Sequence, residues 1–352
     1  MPIINYFSGG GESEEGLINK FLTKSSTIRN YTNNDVTVIA GGLFAQMLSL
    51  RSVTFEACQT IGDMAFHDCN ITNISFPACV TIGYGAFSKC INLLSVNFSL
   101  CTTINDGAFN GCTKLNSINF PVCTTIGAYA FSYCRSLTTI SFSKCTSIGY
   151  SAFDRCLSLI SVDFPVCTSI GSCGFNSCSA LVTANFPKCI TLDSSAFANC
   201  QALTSVNFTS CTYISYNAFA SCYALPSINL PACTDLGQGA FRYCSSLTTI
   251  SLPVCNIVDN YAFYNCRTLS SISLPKCTSI GYQTFAYCSA LSQVYLMNSQ
   301  VVNGYYNMFD YSPISNSTIL GYYGSIYVPT SLVNTYKTAA YWSAYSSRIV
   351  GI

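Results

Sequence analysis

The chain has 352 residues, half of them hydrophobic and only 8% charged, and its 15 basic and 14 acidic side chains leave a net charge of +1. So sparse and balanced a charge excludes electrostatic capture of nucleic acid or of an anionic membrane surface as the main activity. No apolar run approaches the roughly 18 residues that a membrane span requires.

The first segment, residues 1–35, reads as a lead or attachment segment. Met1-Pro-Ile-Ile-Asn-Tyr-Phe7 has neither the basic start nor the long apolar stretch of a signal peptide. The expectation is therefore synthesis in the cytoplasm, with the cell surface or a virion as the final site. Gly9-Gly-Gly-Glu-Ser-Glu-Glu15 is a flexible acidic stretch, and Leu17 to Leu22 suits a short helix.

From Cys58 onward cysteine recurs every eleven residues as far as Cys288. Of 23 cysteines, 22 keep this beat, with one step of ten between Cys69 and Cys79 and one off-beat residue, Cys173. The flanking residues double the period to 22, in the pattern C-x-x-I-x-x-x-A-F-x-x-C-x-x-L-x-x-I-x-F/L-P-x. Phenylalanine stands eight residues after every alternate cysteine, from Phe66 to Phe285. A fixed period of this length is the mark of a stacked repeat. Residues 36–57 keep the register without cysteine and form a degenerate first repeat. Val302, Phe309 and Ile326 to Pro329 form an enlarged last one.

Within one repeat, Leu137-x-x-Ile140-x-Phe142 has the period-two spacing of a strand, with Ser141 facing out. Proline often follows, as at Pro121 and Pro165, where a missing donor suits a strand exit. The other half, I-G-x-x-A-F-x-x-C, reads as a glycine turn and a short helical or 3-10 turn on the opposite wall. No repeat can bury its own Ile, Phe, Leu and Cys, so stacked copies must share one core. The cysteines sit at apolar ladder positions and are expected to be reduced, buried thiols. Oxidation between stacked neighbours is geometrically possible but not required.

These motifs resemble the leucine-rich repeats of the BspA-like (Treponema pallidum) type. The resemblance rests on Leu247-Thr-Thr-Ile250-Ser-Leu252-Pro253 and on Ile280-Gly281 with Phe285 and Cys288, and it covers about residues 36–330. It implies an α/β fold: a right-handed solenoid with a parallel β-sheet on its concave face and short helical or 3-10 turns on the convex side. It also implies a non-enzymatic role in binding or adhesion to a protein or glycan surface.

Residues 331–352 follow as a helical cap. Thr330 or Ser331 is the expected N-cap, with Leu332, Val333, Tyr336, Ala339 and Ala340 as one apolar face. The tail through Tyr341-Trp342 to Val350 resembles the endings of gut-bacterial and prophage-encoded repeat proteins. A phage or prophage host-recognition component is therefore the alternative function. A glycan hydrolase and an ice-binding protein are weaker alternatives.

No catalytic, cofactor or metal site is expected. The single histidine, His67, has no partner that the repeat singles out, and a nucleophile–base set needs convergent groups. Cys173 and Cys178 lack the spacing of a zinc pair. The candidate binding face is the outward column of the strand: Asn97, Asn119, Ser141, Asp163, Asn185, Asn207 and Asn229. The plain alternative is that these residues only solubilise the strands and bond to one another. Tyrosines of the turn segment, among them Tyr84, Tyr129, Tyr150, Tyr216, Tyr261 and Tyr282, offer a second surface, since tyrosine supplies rigid amphipathic area. The partner is a protein or glycan, and the sequence leaves the oligomeric state open.

Overall fold

The computed structural model describes residues 28–315 and 323–352. The expectations for residues 1–27 lie outside the described residues. The fold is a parallel β-solenoid with turns of about 22 residues, and the chain divides into two compact units, Met1–Cys167 and Thr168–Ile352.

In the first unit each turn has three walls. The turn from Cys123 serves as the type. Its first wall is the two-residue strand Thr125–Ile126, paired in parallel with Thr103–Ile104 behind it and Ser147–Ile148 ahead. Strands of this kind run unbroken from Val38–Ile39 to Ser147–Ile148. This wall was not foreseen as a strand.

The second wall is the turn segment. The N–H groups of Tyr129, Phe131 and Tyr133 donate forward to the carbonyls of Tyr150, Ala152 and Asp154 in the next turn, each at 2.8 Å. Those of Ala130, Ser132 and Cys134 instead bond back three residues. The expected 3-10-type turns are thus present singly. They never join into a helix, because Tyr129 (φ 56°) and Tyr133 (φ 60°) are left-handed. Isolated left-handed residues are tolerated, but not runs of them.

The third wall holds the expected strands, but as separate patches. Asn30–Thr32, Ser52–Thr54 and Asn73–Ser75 form one, Ser95–Asn97 with Ser117–Asn119 another, and Thr139–Ser141 with Ser161–Asp163 a third. The strand at Asn30 carries the 22-residue register back into the segment read as a lead.

The second unit repeats the plan. Two-residue strands run from Ser169–Ile170 to Ser279–Ile280. Its strand wall is again divided, and one break, between Ser205–Asn207 and Ser227–Asn229, falls where Pro226 removes a ladder donor.

Glycine after the isoleucine is there for closeness, not for a turn. A Cβ on Gly149 would sit 2.6 Å from the Ala128 nitrogen of the preceding coil, and one on Gly127 would sit 2.6 Å from the Asp106 nitrogen. Neither glycine has positive φ.

The core is a set of aligned columns. Cys123, Ala130, Phe131, Cys134 and Leu137 are wholly buried. Phe131 lies 5.3 Å from both Phe109 and Phe153, tilted by only 5° and 7°. Phe120 and Phe142 belong to a second phenyl column set at an angle to the first. In the second unit this column changes to leucine from Leu230 to Leu296. The two cysteine rows differ in bonding. Cys134 donates its thiol to the Phe109 carbonyl of the preceding turn at 3.2 Å, and Cys112 does the same to Phe87 at 3.1 Å. Cys123 donates instead to Thr125 of its own turn, at 3.3 Å.

Aromatic side chains cover the last turn of the second unit. Tyr336 lies in the helix Val333–Thr338, and its hydroxyl accepts from the Val302 N–H at 3.0 Å. The Trp342 indole N–H donates to the Val302 carbonyl at 2.7 Å. The Tyr345 hydroxyl accepts from the Phe309 N–H at 3.5 Å. The foreseen N-cap is not used: the Thr330 hydroxyl donates to the Ile352 carbonyl, and neither Thr330 nor Ser331 caps the helix with its side chain. Of the expected apolar face only Tyr336 is buried, because so short a helix turns little of itself inward.

Candidate functional site

In the first unit the foreseen strand residues Asn97, Asn119, Ser141 and Asp163 are exposed. Their inward neighbours Val96, Ile140 and Val162 are buried, so the period-two pattern fixes which atoms reach solvent. Asn119 Nδ2 donates to Asn97 Oδ1 at 2.8 Å. In the second unit Asn185 and Asn207 are half-buried and Asn229 is exposed, and Asn207 Nδ2 donates to Asn185 Oδ1 at 2.8 Å. Neighbouring turns of each unit thus bond through their amide side chains. Asn–Asn bonding along a stack orients each amide and leaves its remaining donor and acceptor capacity outward.

The two-residue strand wall carries a row that sequence reasoning missed. The Thr124 hydroxyl donates to the Thr102 carbonyl and the Thr146 hydroxyl to the Thr124 carbonyl, both at 3.2 Å. Their hydroxyls are tied to backbone, so this row is built for rigidity. The signal was the recurrent Thr or Ser around each Ile.

The turn wall presents the tyrosines. In the first unit Tyr84, Tyr129 and Tyr150 are each about half exposed, and the rings of Tyr129 and Tyr150 meet edge-on at 5.1 Å. In the second unit Tyr216 and Tyr287 are exposed, and the Arg242 guanidinium lies over the rings of Tyr243, Tyr261 and Tyr264 at 4.8–5.7 Å. His67 is half-buried on the same wall of the first unit, and its buried Nδ1 has no hydrogen-bond partner.

The thiols offer little chemistry. Burial pushes Cys58 and Cys211 up to about 11, and Cys101, Cys244 and Cys288 to about 12, against an ordinary 9.0. The thiolate is the nucleophile and the metal ligand, so a thiol held protonated is inert to both. Cys178 is buried, whereas Cys173 is half-buried on a left-handed turn. Among the described residues no group of three or more His, Cys, Asp or Glu is placed to hold a metal ion. Among them, too, no helix is long and apolar enough to cross a membrane.

The family model for the BspA type leucine rich repeat region, built on six copies, matches residues 18–134, 102–226 and 212–328. Among solved structures, a leucine-rich repeat protein from Bacteroides ovatus is 24% identical over 79% of this chain and 77% of its own, with a TM-score of 0.59. The pneumococcal vaccine antigen PcpA is 14% identical over 93% and 88%, with a TM-score of 0.50. A leucine rich cell surface protein from Faecalibacterium prausnitzii is 23% identical over 80% and 82%, with a TM-score of 0.43. At these identities the likeness is one of fold. No curated protein sequence matches the chain.

Proposed function

This chain belongs to the BspA type leucine-rich repeat family, and from that membership we propose that it is a non-enzymatic binding protein that engages a protein or glycan surface. The observation that carries this reading is the outward column of the three-residue strands. It offers amide and hydroxyl groups on a backbone that stacked phenyl rings and thiols hold rigid. A preorganised surface binds without losing much conformational entropy. Repeat arrays characteristically bind through such extended faces. In this reading residues 36–330 form the binding array, residues 331–352 close it, and residues 1–35 serve for attachment.

The test is a protein and glycan array probed with the wild-type chain and with Ser141→Lys and Asn229→Lys. Both side chains are exposed, and both changes add a cation to a column in which Asp163, the register partner of Ser141, is the one charged member among the residues named. Loss of captured partners, with the melting temperature held within a few degrees, supports the reading. Unchanged binding by both variants overturns the choice of face.

A further inference from the structure

The turn wall of the first unit contains a slot of about 230 Å³. Its cause is legible in the sequence once the turns are aligned. The first left-handed position of each turn is held in successive turns by Met64, Gly85, Gly107 and Tyr129. The two glycines leave space where the neighbouring turns carry side chains. A Cβ on Gly107 would meet nothing closer than 4.0 Å, and one on Gly85 nothing closer than 3.6 Å. Neither glycine is needed for its backbone angle, since Tyr129 (φ 56°) and Ser151 (φ 51°) take the same conformation in the same column. The two glycine turns clear a length of roughly 10 Å at one strand spacing per turn.

The lining has a definite chemistry. Met64 and Tyr129 close the ends, and the exposed ring of Tyr84 stands beside Gly85. Along the other side run His67, Ser88 and Asn110, one from each turn. That row supplies imidazole, hydroxyl and amide groups, both donors and acceptors. The His67 Nδ1 is buried and without a partner. A buried polar atom left unsatisfied in an otherwise well-bonded fold calls for a ligand or a water. The lining contains no carboxylate, ammonium or guanidinium, so it suits neither phosphate nor a charged peptide. Drug-sized ligands occupy roughly 300–1,000 Å³, so this slot fits something smaller, of single-ring size.

We infer that this slot is a binding subsite for one pyranose ring of a neutral saccharide. Such a ring has an apolar face for Tyr84 or Tyr129 and a rim of hydroxyls for Asn110, Ser88 and His67. The slot lies on a different wall from the strand column, so it stands independently of the face proposed above.

Saturation-transfer NMR of the full chain with the methyl glycosides of glucose, galactose and N-acetylglucosamine tests this. At least one is expected to show transfer and a dissociation constant in the millimolar range. Gly107→Tyr fills the slot with a residue that the fold already accepts at Tyr129, and it should weaken binding roughly tenfold or more. Tyr129→Ala should weaken it comparably, and Ser195→Tyr, at the equivalent half-buried repeat position of the second unit (φ 58°), should leave it unchanged. The melting temperatures of all three variants should stay close to wild type. Absence of transfer from all three glycosides overturns the inference, as does a glycoside that binds Gly107→Tyr as well as wild type.

Discussion

The thiol of Cys134 donates to the carbonyl oxygen of Phe109, 3.2 Å away in the preceding turn, while that same oxygen also accepts the N–H of Cys112 at 3.2 Å. The cysteine therefore fills the second lone pair of a buried carbonyl whose first is taken by a backbone N–H. Cys90, Cys156, Cys222 and Cys266 repeat the arrangement on Phe66, Phe131, Phe197 and Phe241. Valine could match the volume but not this bond. Cys134→Ala should cost about 1–3 kcal/mol in urea unfolding, from the lost volume and the lost thiol bond. Cys173→Ala, at the off-beat and half-buried position, should stay within about 0.5 kcal/mol. Equal costs at the two sites would show that the thiol row carries no structural weight.

Alkali should unfold the protein steeply. In the folded chain the thiols of Cys58 and Cys211 are held up to about 11 and those of Cys101 and Cys244 to about 12, by burial. An unfolded cysteine ionises near the ordinary 9.0. Above that pH the folded state binds more protons than the unfolded one, so stability is complete below it and falls as pH rises through the folded values. Each such thiol removes about 1.4 kcal/mol per pH unit in that window, and several acting together exceed the usual 5–15 kcal/mol of a fold. Trp342 fluorescence followed against pH under reducing conditions should show a cooperative transition near pH 10. A native spectrum persisting at about pH 11 would contradict this.

The phenyl column should tolerate no gap. Phe153 is wholly buried and stacks on Phe131 at 5.3 Å. Phe153→Ala is expected to cost about 3–5 kcal/mol, the range for a buried aromatic truncation. A loss under about 1 kcal/mol in chemical unfolding would mean that the column repacks freely.

The two kinds of glycine should separate cleanly on substitution. Gly149→Ala drives a Cβ to 2.6 Å from the backbone of the coil behind, and backbone cannot step aside as a side chain can. A cost above about 1 kcal/mol is expected. Gly111 (φ 73°) has only ordinary contacts around its missing Cβ, and Asn199 and Asn265 occupy its column at φ 62° and 63°. Gly111→Asn should therefore fall within about 0.5 kcal/mol of wild type. The reverse ranking in thermal melts would contradict the close-approach reading.

The repeat made the core legible. The cysteine beat and the Phe, Leu and Ile columns located which side chains meet from turn to turn, because burial imposes one residue type on every copy. The walls were less legible. Thr125–Ile126 is too short for alternation to declare a strand, and its stability comes from neighbours 22 residues away on either side. Lys89, Tyr133 and Arg155 are left-handed although nothing in their chemistry favours it, because the forward hydrogen bonds of the turn wall dictate the angle. The breaks in the strand wall were likewise hidden, apart from the one at Pro226. Period-two spacing is enough to turn Asn97, Asn119, Ser141 and Asp163 outward, but the bond from Asn119 to Asn97 joins residues 22 apart and has no local signal. The slot had a readable cue in Gly85 and Gly107 at one repeat position, yet only the surrounding turns show that those two residues leave a gap.

The closing contacts of Tyr336 and Trp342 are made with Val302, and Tyr345 reaches Phe309. None of these three groups senses how many coils precede that point. Removing or duplicating a block of 22 residues ahead of Val302 would leave these three contacts intact, so the number of coils before that point can change without any cost to them.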